Sequence, residues 1–163
     1  IFRLAKRLEE EGVKHKITVI GNGDLGADMH AFSRKRESFE YIEKMSRNEI
    51  PAILSKSHIG IMPMPDIPIW RIASPLKLAE YLASGLSIIG PSHPGNKLIG
   101  NEDWDLLSEG DWVEESIEAI LELLNSSKRF PVSSAIKSSE KLDRQLIAGE
   151  MRDKMIEVSR ITT

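Results

Sequence analysis

The chain has 163 residues, of which 40% are apolar and 29% charged, with a formal net charge of -3 at pH 7, the composition of an ordinary globular domain long enough to bury a core. It contains no cysteine, which excludes disulfides, thiolate metal sites and thiol nucleophiles. The mildly acidic balance argues against a nucleic-acid binder, the apolar runs fall far short of the ~20 residues that span a bilayer, and no signal-peptide pattern opens the chain, so the expected location is cytoplasmic.

Ile1, Leu4, Ala5 and Leu8 recur at helical spacing and stop at Gly12, so the chain opens inside an element. A strand before Ile1 is expected, which makes the chain a fragment. Ile17 to Ile20 reads as a buried strand running into the glycine turn Gly21-Asn22-Gly23-Asp24, with a poorly apolar helix over Ala27 to Glu37. Phe39 and Tyr41 alternate with glutamates as a half-exposed strand. Ser46 to Glu49 has the Ser-x-x-Glu form of a capping box, with Ile50, Ile53 and Leu54 behind it on one helical face.

Ile59 to Met62 is the next strand. Pro63, Pro65 and Pro68 follow it, and this loop is expected to hold no regular structure. Ser74-Pro75 starts a helix that Gly85 stops, and Ser87 to Gly90 is a further strand. Trp104 to Leu107 is a weaker strand, and Asp111 to Glu114 a second capping box, with Val113, Ile117, Ile120, Leu121 and Leu124 as its apolar stripe. Val132 to Arg160 is polar and mostly helical. One helix between successive strands predicts an α/β fold, a Rossmann-like open parallel sheet with helices on both faces and its first strand missing. Ligands in such sheets bind at the carboxyl ends of the strands, which directs attention to the loops after Ile20, Met45, Met62 and Gly90.

Two loops offer chemistry. Gly21-Asn22-Gly23-Asp24-Leu25-Gly26 satisfies G-x-G-x-x-G after a strand, with Glu43 near the distance of a ribose acid. That supports either a dinucleotide site or a turn that merely lets the chain leave the sheet. The second is the loop and helix from Pro63 to Gly85. A residue three places into a capped helix is ordinarily an acid or Gln, because the first turn carries unpaired N–H groups and partial positive charge. Here it is Lys77, with Arg71 just before the Ser74 cap. A phosphate or diphosphate between the two cations would resolve that conflict, held by the first-turn N–H groups and the Lys77 ammonium. Glu80, one turn on, could then accept two ribose hydroxyl protons. The alternative is an i, i+3 salt bridge between Lys77 and Glu80 on a wet face.

At these residues a resemblance emerges. Ser74-Pro75-Leu76-Lys77-Leu78-Ala79-Glu80-Tyr81-Leu82-Ala83-Ser84-Gly85, continuing to Gly90, resembles the S-P-x-K-x-x-E-Y-x-A-x-G-x-P-V-[IV] segment of retaining group 1 (family 4) glycosyltransferases, and Gly60 to Asp66 is similar to the strand and loop that lead into that family's donor site. The resemblance implies the second, donor-binding half of a two-domain GT-B enzyme. Residues 1–163 would then form a single nucleotide-sugar-binding domain, with 132–163 as its C-terminal helices.

It implies further that Glu80 binds the ribose hydroxyls, that the backbone of Ser74, Pro75 and Leu76 contacts the diphosphate, and that Met45 and Ser46 lie in the loop that contacts the nucleobase. Lys77 is the candidate catalytic group and Arg71 its cationic neighbour. The donor that the resemblance implies is a nucleotide diphosphate sugar, with no further cofactor and no metal expected. The acceptor site falls to a missing N-terminal domain, which with a lipid-linked acceptor is the expected route to any membrane, and the isolated fragment is expected to be inactive. Where the family often carries a first glutamate, this chain has Ile72, so the resemblance implies no carboxylate contact to the sugar hydroxyls at that position.

Other patterns carry less. Asp103-Trp104-Asp105 has the D-x-D form of a metal-chelating motif but precedes its apolar residues instead of following them. The four histidines have no metal or triad spacing, and His93, in a Pro-bounded loop beside Gly95, either lines the donor cleft or, as expected, is a solvent-exposed loop residue. Ile69 and Trp70 serve either a partner surface or loop anchoring. Lys137, Lys141, Arg144, Arg152 and Lys154 lie among acids on a solvated face. Two rival functions stand beside the transferase: a dinucleotide-dependent oxidoreductase, and a non-catalytic module that kept the fold.

Overall fold

Five short strands, every pairing parallel, frame the computed structural model, which describes residues 1–72, 76–96, 104–125 and 131–139. They are β1 (Ile17–Ile20), β2 (Phe39–Ile42), β3 (Ile59–Ile61), β4 (Ser87–Pro91) and β5 (Asp105–Ser108). The helices between and around them are α1 (Phe2–Glu10), α2 (Gly26–Ser33), α3 (Ile50–Leu54), α4 (Pro68–Arg71), α5 (Leu76–Ala83), α6 (Trp112–Asn125) and α7 (Val132–Ser139). This is the expected Rossmann-like α/β alternation, with one refinement: the strands form two ladders. β1 pairs with β2 from Ile17 opposite Phe39 to Ile20 opposite Ile42, while β4 lies between β3 and β5.

One hydrophobic core joins the two ladders. Leu4, Ala5 and Leu8 of α1 and Val113, Ile117 and Ile120 of α6 pack with Ile17, Phe39 and Ile89. On the other face of the three-stranded ladder, Met62, Leu78, Leu82, Ile88, Trp104 and Ala135 form a second cluster. Adjacent Ile88 and Ile89 thus serve opposite faces, as strand geometry requires. Gly85 ends α5 at φ 77°, and a Cβ there would strike the Val132 side chain, so the left-handed stop also lets α7 close on α5.

Local signals shift where tertiary contacts compete. In the prolyl loop, α4 is a helical turn with Pro68 at its start; the ring has no N–H to lose at that position, so the loop accommodates the turn that the prolines were expected to forbid. α2 ends at Ser33, not Glu37, and buries no residue. Of the Ser46 capping box only the reverse half forms, the Ser46 N–H donating to Glu49 Oε2 at 3.0 Å. Of the Asp111 box only the forward half forms: Asp111 Oδ1 accepts from the Val113 and Glu114 N–H groups at 3.2 and 3.4 Å. Glu114 turns instead to α1, where it accepts from Arg3 at 2.9 Å and from Arg7 Nε at 3.1 Å, and Arg3 also donates to Asp111 at 2.6 Å. Among the described residues no helix is long and apolar enough to cross a membrane. Residues 140–163, most of the expected C-terminal helical region, lie outside the described residues.

The α1–α6 ion pairs make stability pH-dependent. Hydrogen bonds from Arg3 hold the Asp111 carboxyl below the usual carboxylate range, and those from Arg3 and Arg7 do the same for Glu114. A lowered folded-state pKa contributes stability that is present above the unfolded value, roughly pH 4, and is lost as pH falls through the folded value. Urea denaturation of an Arg3→Ala, Arg7→Ala double variant should show lower stability than wild type at pH 7, with the difference shrinking toward pH 3; a gap that is constant with pH would place these pairs outside the linkage.

Candidate functional site

The loops at the carboxyl end of the three-stranded ladder are held together from below. Residues 91–96 fold beneath residues 62–72. His93 is 4% exposed and Asn96 1%. The His93 Nε2–H donates to the Met64 carbonyl at 3.2 Å, and Asn96 Nδ2 donates to the carbonyls of Pro91 at 3.0 Å and Met62 at 3.4 Å. His93 is therefore not the solvent-loop residue expected from its prolines, because the loop tucks inward and a main-chain oxygen satisfies the imidazole. Two glycines permit the approach. A Cβ on Gly90, at φ 148°, would strike the Met62 carbonyl, and one on Gly95 would strike the Trp70 carbonyl. His93 Nδ1 and Asn96 Oδ1 are buried and take no hydrogen bond from the described residues.

Above this clamp the prolyl loop is apolar and exposed at Ile67, Ile69, Trp70 and Ile72, the last at 87%. Ile69 and Trp70 are therefore not core residues. Arg71 makes a bidentate pair with Asp66, Nε to Oδ1 at 2.6 Å and a terminal guanidinium nitrogen to Oδ2 at 2.8 Å. That fork pushes the Asp66 carboxyl down and the Arg71 guanidinium up.

α5 presents Lys77 and Glu80 side by side, Lys77 Nζ donating to Glu80 Oε2 at 2.8 Å, with both side chains substantially exposed. The conflict of two cations at one helix start is thus settled inside the chain, each cation having a carboxylate of its own. No anion is needed to explain Lys77, so the helix-charge argument loses its force. The pairing of Lys77 with Glu80 is the salt bridge weighed as the alternative in the sequence. Leu76 is exposed at the start of α5, while Ser74 and Pro75 lie outside the described residues. Tyr81 lies across β3 with its ring on Gly60, where any Cβ would overlap it, and burial raises its phenol pKa. The Gly60 strand and the Glu80-Tyr81 helix are one packed unit.

Met45 and Ser46 are placed elsewhere, past the end of β2 in the other ladder, half-buried and exposed respectively. Glu43 stands near His30, 3.6 Å from its Nε2. At Gly26, whose counterpart in a dinucleotide turn serves close helix–sheet packing, an added Cβ would meet only the Tyr41 hydroxyl, at 3.4 Å, an ordinary contact. Among the described residues no cluster of three or more metal-ligating side chains forms. Asp103 lies outside them, and Asp105 Oδ1 accepts from the Leu107 N–H at 3.1 Å. The clamping roles of His93, Gly95 and Asn96 were missed in the sequence, where His93 was weighed only as a cleft or solvent residue; a histidine and an asparagine flanking Pro-Gly in a strand-end loop were the available signal.

The chain matches the model of the family described as glycosyl transferases group 1 over residues 2–126. It belongs to that family. No curated protein matches it. The matched span includes both ladders, the clamp and all of α5, so membership supports glycosyl transfer as the general activity.

The clamp gives a test of how these loops are held. Gly95→Ala should cost about 1–3 kcal/mol, the usual range for overpacking, and should speed amide exchange across residues 63–72. Unchanged stability and exchange would mean that the Trp70 carbonyl moves freely aside.

Proposed function

We propose that this chain is the donor-binding half of a GT-B glycosyl transferase, taking a nucleotide diphosphate sugar and transferring its glycosyl group with retention. The observation that carries the reading is the family match over residues 2–126, which takes in all of α5 and its exposed Lys77 and Glu80, paired at 2.8 Å. Such an exposed pair contributes only about 0–1 kcal/mol, so a bound donor could exchange it at small cost. The diphosphate would take the Lys77 ammonium and the first-turn N–H groups of α5 from Leu76 on, with Ser74 and Pro75, outside the described residues, as further candidate contacts, while the freed Glu80 carboxylate accepts protons from the ribose hydroxyls.

As the anomeric C–O bond breaks, electrons pass to the diphosphate oxygen, and Lys77 stabilises that developing charge. Arg71 contributes only if a phosphate draws it from Asp66. Met45 and Ser46 would line the nucleobase end. The acceptor site, and any contact with a membrane through a lipid-linked acceptor, would fall to a second domain, leaving this half inactive alone. The donor needs no further cofactor, and the site is read as cytoplasmic.

In the intact enzyme Lys77→Ala should lower the transfer rate by roughly 10²–10³ with little change in thermal stability, and Glu80→Ala should raise the Kd for the nucleotide. A full rate in the first variant removes Lys77 from the chemistry; unchanged affinity in the second removes the ribose role. Thermal shifts with UDP, GDP, dTDP and NAD separate the rivals, since a ligand at 100 times its Kd adds about 2.7 kcal/mol. A response to NAD alone favours the dinucleotide reading of Gly21 to Gly26, and none at all a non-catalytic module.

A further inference from the structure

The place of the glycosyl group follows from covalent geometry. It is joined through its anomeric oxygen to the outer phosphate, so a diphosphate at the start of α5 leaves the sugar beside whatever flanks that start. Ile72 lies four positions before Leu76, a length of chain that spans at most about 14 Å, and the loop it closes is the described flank on that side. The loop is held in shape. The Trp70 carbonyl lies against Gly95, where a Cβ would strike it, and the bidentate Arg71–Asp66 pair ties α4 to the chain before it. Ile69 and Ile72, three apart across that turn, share a side and are 65% and 87% exposed, with Ile67 and Trp70 also open to solvent.

This flank is poor in hydrogen-bonding groups. From Pro63 to Ile72 the side chains are those of proline, methionine, isoleucine and tryptophan, apart from Asp66 and Arg71, and those two are spent on each other. His93 and Asn96 are buried below and donate to main-chain carbonyls. Ser92, just past β4, donates to Glu109 at 2.8 Å. Lys77 and Glu80 go to the diphosphate and the ribose in the donor-site reading. A sugar hydroxyl pressed against Ile69, Trp70 and Ile72 leaves water without finding a partner, whereas a methyl group or the C–H face of a ring buries apolar area there.

We propose that the donor carries a 6-deoxyhexose, and that Ile72, with Ile69 and Trp70 beside it, selects the sugar by its missing hydroxyl. Loss of the exocyclic hydroxyl of a hexopyranose leaves a methyl group, which suits an exposed isoleucine; loss of a ring hydroxyl leaves only a methylene. The inference rests on the donor-site reading above and adds the class of sugar to it. An apolar contact surface discriminates against an added hydroxyl by about ten- to a hundredfold, short of the larger factors that a hydrogen-bonding pocket reaches. That sets the size of the preference.

Matched donors that differ only in the exocyclic hydroxyl test this in the intact enzyme: UDP-glucose with UDP-6-deoxyglucose, the same pair on dTDP, and GDP-mannose with GDP-6-deoxymannose, each beside its free nucleoside diphosphate. On the base that binds, titration calorimetry should give the 6-deoxy donor a Kd about ten- to a hundredfold below that of its hydroxylated twin. Ile72→Gln, at a position exposed enough to tolerate substitution, should bring that ratio toward one and leave the Kd of the free nucleoside diphosphate unchanged. Equal or reversed affinities within the pair, while the free nucleoside diphosphate still binds, overturn the sugar assignment alone. A ratio that survives Ile72→Gln overturns the role of this loop. Binding of none of the nucleoside diphosphates overturns the donor-site reading, and this inference with it.

Discussion

The core between α1, α6 and the two ladders is the contact on which everything else depends. Ile17 and Phe39 belong to one hydrogen-bonded ladder and Ile89 to the other, and they are held in one cluster by Leu4, Ala5 and Leu8 on one helix and Val113, Ile117 and Ile120 on the other. Parallel ladders are built for burial on both faces, so without α1 and α6 these short strands would have no common floor. The ion pairs from Arg3 and Arg7 to Asp111 and Glu114 fix how the two helices lie together, and this competition diverts Glu114 from its own helix cap.

The site inherits its order from the floor beneath it. β3 and β4 run side by side, so the loops that leave their carboxyl ends must share space. Gly90 and Gly95 let main chain approach main chain there, and His93 and Asn96 tie the upper loop down through carbonyl oxygens. Tyr81 on Gly60 couples α5 to the same strand. The polar chemistry of α5 is therefore presented by a rigid base, while the side chains that would meet a ligand, Lys77 and Glu80, remain at the surface and paired to each other. Carboxylate partners for both Arg71 and Lys77 show how a charge pattern that looks unbalanced along a helix can be balanced by neighbours three or five residues away.

Much of this was legible beforehand, for reasons that differ by element. β1, β3 and β4 are runs of β-branched residues bounded by glycine or proline, and α5 and α6 carry apolar residues at helical spacing, so period and punctuation sufficed. The motif from Ser74 to Gly85 pointed to the family, and membership followed over residues 2–126. What escaped was decided by partners distant in sequence. The burial of His93 depends on the Met64 carbonyl 29 residues away, and the diversion of Glu114 on Arg3, 111 residues away.

Sequence by itself determined the alternation of strand and helix, the parallel α/β class, the stop at Gly85 and the family, because each is set by local stereochemistry or by a contiguous motif. Only the tertiary structure decided that the described strands divide into two ladders, that the loop after β4 lies under the loop after β3, and that Lys77 and Arg71 each carry a carboxylate partner. Those outcomes turn on which groups meet in space, and hydrogen bonds and ion pairs between distant residues leave no period in the chain to read.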